Sequence, residues 1–250
     1  MIKIEKWEVF GWDAAIRGMR NPMNSWEKSD SGYGCDLYAN RIHCRNCNVV
    51  EKGSCMAYRD FAMGPNDYEL MMKLAKSGPV HAKYRRMITV YVDITAPLYW
   101  WKEFDTYKVG TVANSCSTMH KIHEKEFTID DFSTDHLLPS VKEAFDTTIV
   151  GFLNSARECY FDAKNGHEKT KEVYTPKDFW WQIIQILPSS YNQKRTVMLN
   201  YEVLANIYKY RKNHKLDEWV EFCEWIVNEL PYRDIITGPN CNKELEESAE

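Results

Sequence analysis

Apolar and polar residues alternate along two segments of the chain, and this pattern predicts two β-strands. The first segment covers residues 2–10, and the second, residues 87–94, reads Met-Ile-Thr-Val-Tyr-Val-Asp-Ile. β-Branched and aromatic residues pack well on a pleated, half-buried surface, so residues 87–94 are the most strand-like part of the chain.

The remaining apolar positions recur at helical spacing, which predicts an α+β class with many helices and a small sheet. We expect Asn66 to cap a helix that ends at Lys76. We expect Thr95 to cap a second helix, with Pro97 in its first turn, that reaches about Tyr107. The other predicted helices cover residues 12–19, 141–159, 177–186, 191–211 and 217–230.

A chain of 250 residues is long enough for one sizeable core, and we predict a single domain over residues 1–239. The helical and strand periodicities both fail over residues 24–64, where Gly, Ser, Asn and Cys are frequent. This stretch is predicted to be an irregular insertion. Residues 240–250 are polar and are predicted to form a flexible tail.

Composition narrows the range of partners. The net charge of −4 argues against non-specific binding of nucleic acid through a basic field. No apolar run approaches the roughly 20 residues that span a bilayer, and the N-terminus does not resemble a signal peptide. We therefore expect a cytoplasmic protein without a membrane partner, whose eight Cys are thiols or metal ligands.

Four of the cysteines fall within the predicted insertion: Cys35, Cys44, Cys47 and Cys55. Four thiolates are a suitable ligand set for structural zinc, and a metal ion would order a segment that is poor in core residues. The alternative is free thiols in a loop, because the outer two cysteines are single rather than paired and match no standard zinc ribbon.

Two segments carry residues suited to ligand binding. Residues 102–111 lead from a helix into a loop at 114–117, Asn-Ser-Cys-Ser, whose hydroxyl and backbone groups suit phosphate or a base edge. The alternative is a turn that satisfies its own backbone. In the predicted helix from Arg195 to Arg211, residues 200, 204, 207 and 211 form one stripe that ends in a guanidinium. A buried Arg needs a ligand anion or a neighbouring carboxylate.

In this order, the segments resemble the flavin-dependent thymidylate synthases. That family has a strand entering Ala-Pro, a helix ending in Arg-His-Arg-x-x-Ser, and an Asn-x-x-Ser-x-Arg loop. Here the corresponding residues are Ala96-Pro97, then Thr-Tyr-Lys-Val-Gly-Thr at 106–111 and Asn-Ser-Cys-Ser-Thr-Met at 114–119. The family's Leu-Pro, Asn, Asn and Arg correspond to Leu187-Pro188, Asn200, Asn206 and Arg211.

The resemblance implies the thymidylate synthase-complementing-protein-like fold, a small antiparallel sheet with long helices. It also implies a homotetramer whose sites lie between subunits and bind FAD and dUMP or a related pyrimidine nucleotide. In the family, methylenetetrahydrofolate supplies a one-carbon group to C5 of the uracil, and NADPH reduces the flavin. No enzyme nucleophile is required.

Site residues carry over by position, as the resemblance implies. Arg211 would bind the uracil edge and act as the catalytic residue. The residues implied for the cofactor are Asn200, Asn206, Lys108, Thr111 and His81. Those implied for the substrate, besides Arg211, are Glu103, Asn114, Ser115 and Ser117.

The chain departs from the family at four cationic positions, where it has Thr106, Tyr107, Met119 and Ile184. Each missing cation removes charged hydrogen bonds to the nucleotide. The alternative function is therefore a non-catalytic nucleotide-binding or regulatory protein on the same fold, such as a phage-borne relative.

Overall fold

The computed structural model describes residues 2–33, 61–166 and 174–238. In these residues the strands are β1 (Lys3–Phe10), β2 (Gly32–Tyr33), β3 (Phe61–Ala62), β4 (Thr89–Pro97), β5 (Val112–Ser115) and β6 (Asn192–Asn200). The α-helices are α1 (Trp12–Arg20), α2 (Pro65–Lys76), α3 (Leu98–Phe104), α4 (Pro139–Phe145), α5 (Gly151–Asn165), α6 (Pro176–Ile186), α7 (Tyr201–Arg211), α8 (Asp217–Glu229) and α9 (Asp234–Thr237). Short 3₁₀ turns include Lys83–Met87 and Asp105–Tyr107, and a π-helical turn, Asp146–Val150, joins α4 to α5.

Four strands form the main sheet in the order β1-β4-β6-β5, and β2 pairs with β3 in a separate antiparallel ribbon. Along β4, Val90, Val92, Ile94 and Ala96 are buried and alternate with more exposed residues. This alternation places one face of the strand against the core. The predicted α+β class, with a small sheet and long helices, is confirmed.

The chain forms two compact units. The first unit comprises Met1–Lys6, Val92–Lys108 and Ala113–Val197, and the second comprises Trp7–Tyr91, Val109–Val112 and Met198–Glu250. The expectation of one domain over residues 1–239 stays a prediction. Among the described residues, no helix combines the length and apolar character needed to cross a bilayer.

The first unit has an apolar core between its helices. The buried residues of this core are Ile122, Phe127, Phe132, Val150, Leu153, Ala156 and Ile183. Trp100 and Trp101 of α3 are fully buried, and the indole N–H of Trp101 donates to the carbonyl of Gln193 at 2.8 Å. A buried indole with its donor satisfied can lie in a core without an energetic penalty, which explains the burial of Trp101.

The core of the second unit includes an aromatic cluster around Trp12. The Trp12 ring stacks on Phe61 at 5.5 Å and meets the edges of Tyr201 and Tyr232 at 5.4 and 5.2 Å. The residue directly before α1, Gly11, has to be glycine, because its φ is +98° and a Cβ there would lie 2.1 Å from the Met87 carbonyl oxygen. Aromatic contacts of these types stabilise a core beyond the area that they bury.

A buried ion pair joins α1 to α2 in the second unit. Arg20 Nε lies 2.6 Å from Asp67 Oδ1, and the two side chains are 4% and 0% exposed. The other carboxylate oxygen accepts hydrogen bonds from Ser29 Oγ and from the backbone N–H groups of Asp30 and Ser31. Burial opposes the charged form, but hydrogen bonds from Ser31, Arg20 and Ser29 hold the pKa of Asp67 below its ordinary value.

The structure contradicts the helix predicted for residues 191–211. Residues 192–200 form β6, and the helix begins only at Tyr201. Gln193, Val197 and Leu199 are buried in the strand, at intervals of four and two residues, so they lie on one face of it. Burial in the sheet outweighed the helix propensities of Lys194, Arg195 and Met198.

Two predicted helix caps are also wrong. Gly64 occupies the N-cap position of α2, and Asp30 bonds the free N–H groups of Asn66 and Asp67 at 3.0 and 3.1 Å. Asp30, which is distant in sequence, thus provides the capping acceptor that was predicted to be Asn66. Strand β4 continues through Pro97, which is itself the N-cap of α3.

The predicted helix after Pro97 is shorter than expected, because α3 ends at Phe104 and a 3₁₀ turn follows to Tyr107. The predictions for residues 2–10, 12–19, 177–186 and 217–230 are confirmed by β1, α1, α6 and α8. The helix predicted for residues 141–159 is confirmed and is longer, since the π-helical turn connects α4 and α5.

We predict that Asp67→Ala lowers the free energy of unfolding by about 3–5 kcal/mol, because it leaves the buried Arg20 guanidinium without its counter-charge. Urea denaturation measures the change. The control is Glu124→Ala, which removes an exposed ion pair with Lys121 and should change stability by no more than about 0.5 kcal/mol. Equal effects of the two substitutions would contradict this role of the buried pair.

His123 in the first unit should make stability depend on pH. Its ring lies 4.4 Å from Tyr160, and burial lowers its pKa below the ordinary value of 6.5. The unfolded chain therefore takes up the proton more readily, so stability is full above pH 6.5 and falls as the pH drops through the lowered pKa.

We expect His123→Phe to reduce this loss, as measured by urea denaturation between roughly pH 5 and 8. His120→Phe, at an exposed position of the same segment, is the control and should leave the pH dependence intact. A His123→Phe protein with the pH dependence of the native chain would contradict the prediction.

Candidate functional site

The end of α3 in the first unit carries three residues of the motif segment. Glu103 is half-buried, and its backbone carbonyl accepts a hydrogen bond from Thr106 Oγ1 at 2.7 Å. Lys108 follows the 3₁₀ turn and is exposed. The Thr106 hydroxyl therefore satisfies a backbone carbonyl at the C-terminal end of α3, and the Lys108 ammonium group is exposed to solvent.

The predicted hydroxyl loop is largely strand. Asn114 and Ser115 lie on β5, whose four residues are all exposed at the edge of the sheet. The Cys116 N–H continues this pairing by donating to the Lys194 carbonyl at 2.9 Å. Ser117 begins a turn, and its Oγ accepts from the N–H groups of Met119 and His120 at 3.2 and 2.9 Å. The loop expectation is thus wrong for residues 114 and 115, because pairing with β6 extends their backbone.

The first unit also positions a cation that the sequence analysis did not assign. Arg195 Nη1 donates to Asp105 Oδ1 at 2.9 Å, and its Nε donates to Gln193 Oε1 at 3.0 Å. The guanidinium lies 4.3 Å from the ring centroid of Trp101. Such stacking on an indole is a strong cation–π geometry. A strand assignment for residues 192–200 would have pointed Arg195 toward this cluster.

Asn200 in the second unit sits where β6 turns into α7. Its Oδ1 accepts hydrogen bonds from the N–H groups of Glu202 and Val203, both at 3.1 Å. This is the N-cap arrangement that satisfies the free donors of a helix start. Asn200 therefore caps α7. The prediction that Asn200 lies within a helix is wrong.

Gly110 approaches the same Asn200 side chain closely. Asn200 Nδ2 donates to the Gly110 carbonyl at 3.5 Å. Gly110 has φ +82°, and a Cβ there would lie 2.9 Å from that nitrogen, so this approach requires glycine. Thr111, the next residue, is half-buried.

Helix α7 carries the other two predicted ligand residues. Asn206 is exposed, whereas Leu204 and Ile207 are fully buried. Arg211 is half-buried with its guanidinium 4.9 Å from the Trp219 ring, and its Nη1 lies 2.8 Å from Nε2 of His214. The stripe of residues 200, 204, 207 and 211 is thus a cap, two core residues and a stacked guanidinium.

A cavity of about 350 Å³ lies in the second unit beside α7. Of the predicted ligand residues, Asn206 lines it. Its other polar lining residues are Arg85, Glu202, Tyr208, Lys209, Lys212 and Thr237. Three cations and one carboxylate give the cavity a net positive charge, which favours a ligand with an anionic group. Motif spacing did not identify Arg85 or Glu202.

His81 is exposed in a turn near one end of the 3₁₀ turn Lys83–Met87. Its N–H donates to the Gly78 carbonyl at 3.0 Å. Pro79 of the same turn lines the cavity. The cofactor role expected of His81 stays a prediction.

The four cysteines of the zinc prediction, at positions 35, 44, 47 and 55, lie outside the described residues. The zinc prediction is therefore neither confirmed nor wrong. Within residues 2–33, 61–166 and 174–238, His, Cys, Asp and Glu side chains form no cluster of three or more that suits a metal ion.

Among known proteins, the chain matches solved structures. No family model matches the chain, and no curated protein matches it. The solved structure of thymidylate synthase X from Helicobacter pylori with FAD and dUMP is similar over 97% of this chain and 100% of that one, with a TM-score of 0.61 and 13% identity. This chain has the thymidylate synthase X fold.

A second structure, the flavin-dependent thymidylate synthase X of Helicobacter pylori complexed with FAD and dUMP, gives the same result. Its TM-score is 0.58 at 14% identity, over 96% of this chain and 98% of that one. The fold implied by the sequence resemblance is therefore confirmed. At this level of identity the likeness concerns the fold, and the ligand roles of individual residues stay predictions.

We predict that Asn200→Ala lowers the free energy of unfolding by about 1 kcal/mol, because it removes the acceptor that caps α7. Asn200→Asp keeps that acceptor and loses only the long Nδ2 hydrogen bond to the Gly110 carbonyl, so it should cost less than Asn200→Ala. Asn206→Ala, at an exposed position of the same helix, is the control and should change stability by no more than about 0.5 kcal/mol. Urea denaturation compares the three, and an Asn200→Ala protein as stable as the native chain would contradict the cap.

Proposed function

We propose that this protein binds FAD together with dUMP or a related pyrimidine deoxynucleotide and modifies C5 of the uracil. The main support is the fold, which nearly the whole chain shares with a protein solved with FAD and dUMP. In this proposal methylenetetrahydrofolate donates the one-carbon group and NADPH is the reductant.

The residue types beside α7 fit the cofactor. A flavin dinucleotide presents phosphates and hydroxyl groups, which need cations and amide donors. Asn206, Lys209, Lys212 and Arg85 supply these groups in one cavity, and the buried Arg85 Nε has no hydrogen-bond partner among the described residues. When bound, FAD would supply the hydride chemistry. The protein's part is to hold the phosphate-bearing arm with these side chains.

Arg211 is our proposed catalytic residue. A guanidinium presents a planar fork of donors that matches two neighbouring acceptors, such as the carbonyl edge of a uracil. Trp219 and His214 hold this fork in one orientation. A preoriented cation stabilises negative charge on the carbonyl oxygens without reorganising during the reaction.

We propose that the first unit contributes nucleotide contacts. Asn114 and Ser115 are exposed at the sheet edge, Lys108 is an exposed cation, and Ser117 carries a hydroxyl in the following turn. Hydroxyl and amide groups beside a cation suit a phosphate. Glu103, half-buried at the end of α3, is our proposed contact to the base.

Assembly into a homotetramer is part of the proposal. Large apolar side chains are exposed on the helices of the first unit or directly before them, although such residues usually lie in cores. They include Leu138, Val141, Phe152, Trp181 and Ile186. Exposed apolar side chains in this number favour an interface between subunits.

A non-catalytic nucleotide-binding or regulatory protein is the second candidate function. It is favoured by Thr106, which stands where the resembling family has an arginine and whose hydroxyl bonds the Glu103 carbonyl. With Met119 and Ile184 also uncharged, fewer cations face a phosphate than in that family. Such a protein would bind nucleotide without flavin.

We expect the purified protein to take up FAD, detected by visible flavin absorbance after gel filtration. Asn206→Ala should weaken FAD binding by about tenfold, the effect of one lost hydrogen bond to a charged ligand. The control is Asn213→Ala, at an exposed position after α7, which should leave the affinity unchanged. A colourless protein that takes up no FAD at high concentration would sink the proposal.

With FAD, NADPH and methylenetetrahydrofolate present, dUMP should be converted to its C5-methylated product. Calorimetry with dUMP and with FAD separates the two candidate functions. Tight binding of dUMP by a protein that binds no flavin supports the non-catalytic function, and turnover excludes it.

A further inference from the structure

The buried residue Gln193 joins three elements of the first unit. Gln193 lies on β6 and is only 7% exposed. Its Nε2 donates to the Cys116 carbonyl at 2.8 Å, and its Oε1 accepts from Arg195 Nε at 3.0 Å. Its backbone carbonyl accepts from the indole N–H of Trp101 at 2.8 Å. Gln193 therefore links the residue after β5, and helix α3, to its own strand.

Arg195 fixes the orientation of the Gln193 amide. An amide turned by 180° exchanges its donor and its acceptor, but a guanidinium only donates, so the amide oxygen has to face Arg195. Arg195 is itself held at two places, because its Nη1 donates to Asp105 Oδ1 at 2.9 Å and its guanidinium lies 4.3 Å from the Trp101 ring centroid. The amide nitrogen is therefore directed toward the Cys116 carbonyl.

Residues 113–120, which include Cys116, are anchored at a second point by helix α6. Trp180 Nε1 donates to the Met119 carbonyl at 2.8 Å. Between the two anchors, Ser117 Oγ accepts from the N–H groups of Met119 and His120. Side chains from β6 and α6 thus bond two backbone carbonyls of a largely exposed segment, which restricts its backbone to one conformation.

The anchors matter because residues 113–120 bury little surface of their own. An exposed segment with few core contacts opens locally at a small cost in free energy. A ligand that binds to a mobile segment has to order it, and that cost lowers the affinity. Asn114, Ser115 and Ser117, the proposed nucleotide contacts, all lie in this segment. Anchors that order it before binding therefore favour the nucleotide.

We propose that Gln193 and Arg195 are positioning residues for the nucleotide. Gln193 holds residues 113–120 through the Cys116 carbonyl, and Arg195 holds the Gln193 amide. Both act through the backbone of the segment rather than by touching the ligand. The inference rests on the proposed function for the identity of the ligand, and it adds two residues to which motif spacing gave no role.

Hydrogen exchange of the free protein, followed by mass spectrometry, tests the anchor without a ligand. We expect Gln193→Leu to raise exchange over residues 113–120 about fivefold, the effect of one lost hydrogen bond, and to leave the second unit unchanged. Gln193→Glu should do the same, because Arg195 favours the ionised carboxylate, which cannot donate to the Cys116 carbonyl. The control is Gln185→Leu at an exposed position of α6, which should leave exchange unchanged.

Calorimetry with dUMP measures the consequence for the ligand. Gln193→Leu and Gln193→Glu should each weaken dUMP binding by about fivefold, because the ligand then has to order residues 113–120. Arg195→Met should weaken it in the same direction, since it releases the Gln193 amide. Gln185→Leu should bind dUMP with the affinity of the native chain.

Exchange that rises equally in both units of the Gln193 variants would overturn the inference, because it indicates a general loss of stability. Unchanged dUMP affinity in a variant whose residues 113–120 exchange faster would also overturn it. If Gln193→Leu does not fold, as judged by circular dichroism, Arg195→Met at its half-buried position decides the matter by the same two measurements. A native chain that binds no dUMP contradicts the proposed function, and hydrogen exchange alone then decides whether Gln193 and Arg195 position the segment.

Discussion

The turn from strand β6 into helix α7 is the constraint on which the candidate site of the second unit depends. Asn200 ends the strand and caps the helix with one side-chain oxygen. Because the start of α7 is fixed in this way, the helix presents Asn206, Lys209 and Arg211 at defined positions along its length. The core supports the same geometry through Leu204 and Ile207, which are fully buried on the inner side of the helix.

The sequence predicted correctly those helices and strands whose own residues show a clear helical or alternating pattern. Strand β4 shows strict alternation of apolar residues, and α8 begins with acidic residues and repeats apolar ones at helical spacing. Strand β6 was missed because Lys194 and Arg195 favour a helix in isolation, and only the position between β4 and β5 makes the strand the better state. The cap of α2 was missed because Asp30, its acceptor, is remote in the sequence.

The residues of the candidate site also fall into two groups, those predicted from the sequence and those identified from the structure. The order of Ala96-Pro97, Leu187-Pro188, Asn200, Asn206 and Arg211 predicted the fold, which the likeness to thymidylate synthase X confirms. Arg85, Glu202 and Arg195 belong to no motif of that pattern. Burial, unsatisfied hydrogen-bonding atoms and stacking on Trp101 distinguish these residues, and these features become visible only once the chain is folded.

The most direct test of the central claim, that this fold still holds flavin and nucleotide, is a crystal structure of the protein grown with FAD and dUMP. We predict electron density for the flavin in contact with Asn206 and for the uracil against Arg211, with Asn200 still bonded to the backbone of α7. A structure that contains nucleotide but no flavin, or neither ligand, would contradict the claim.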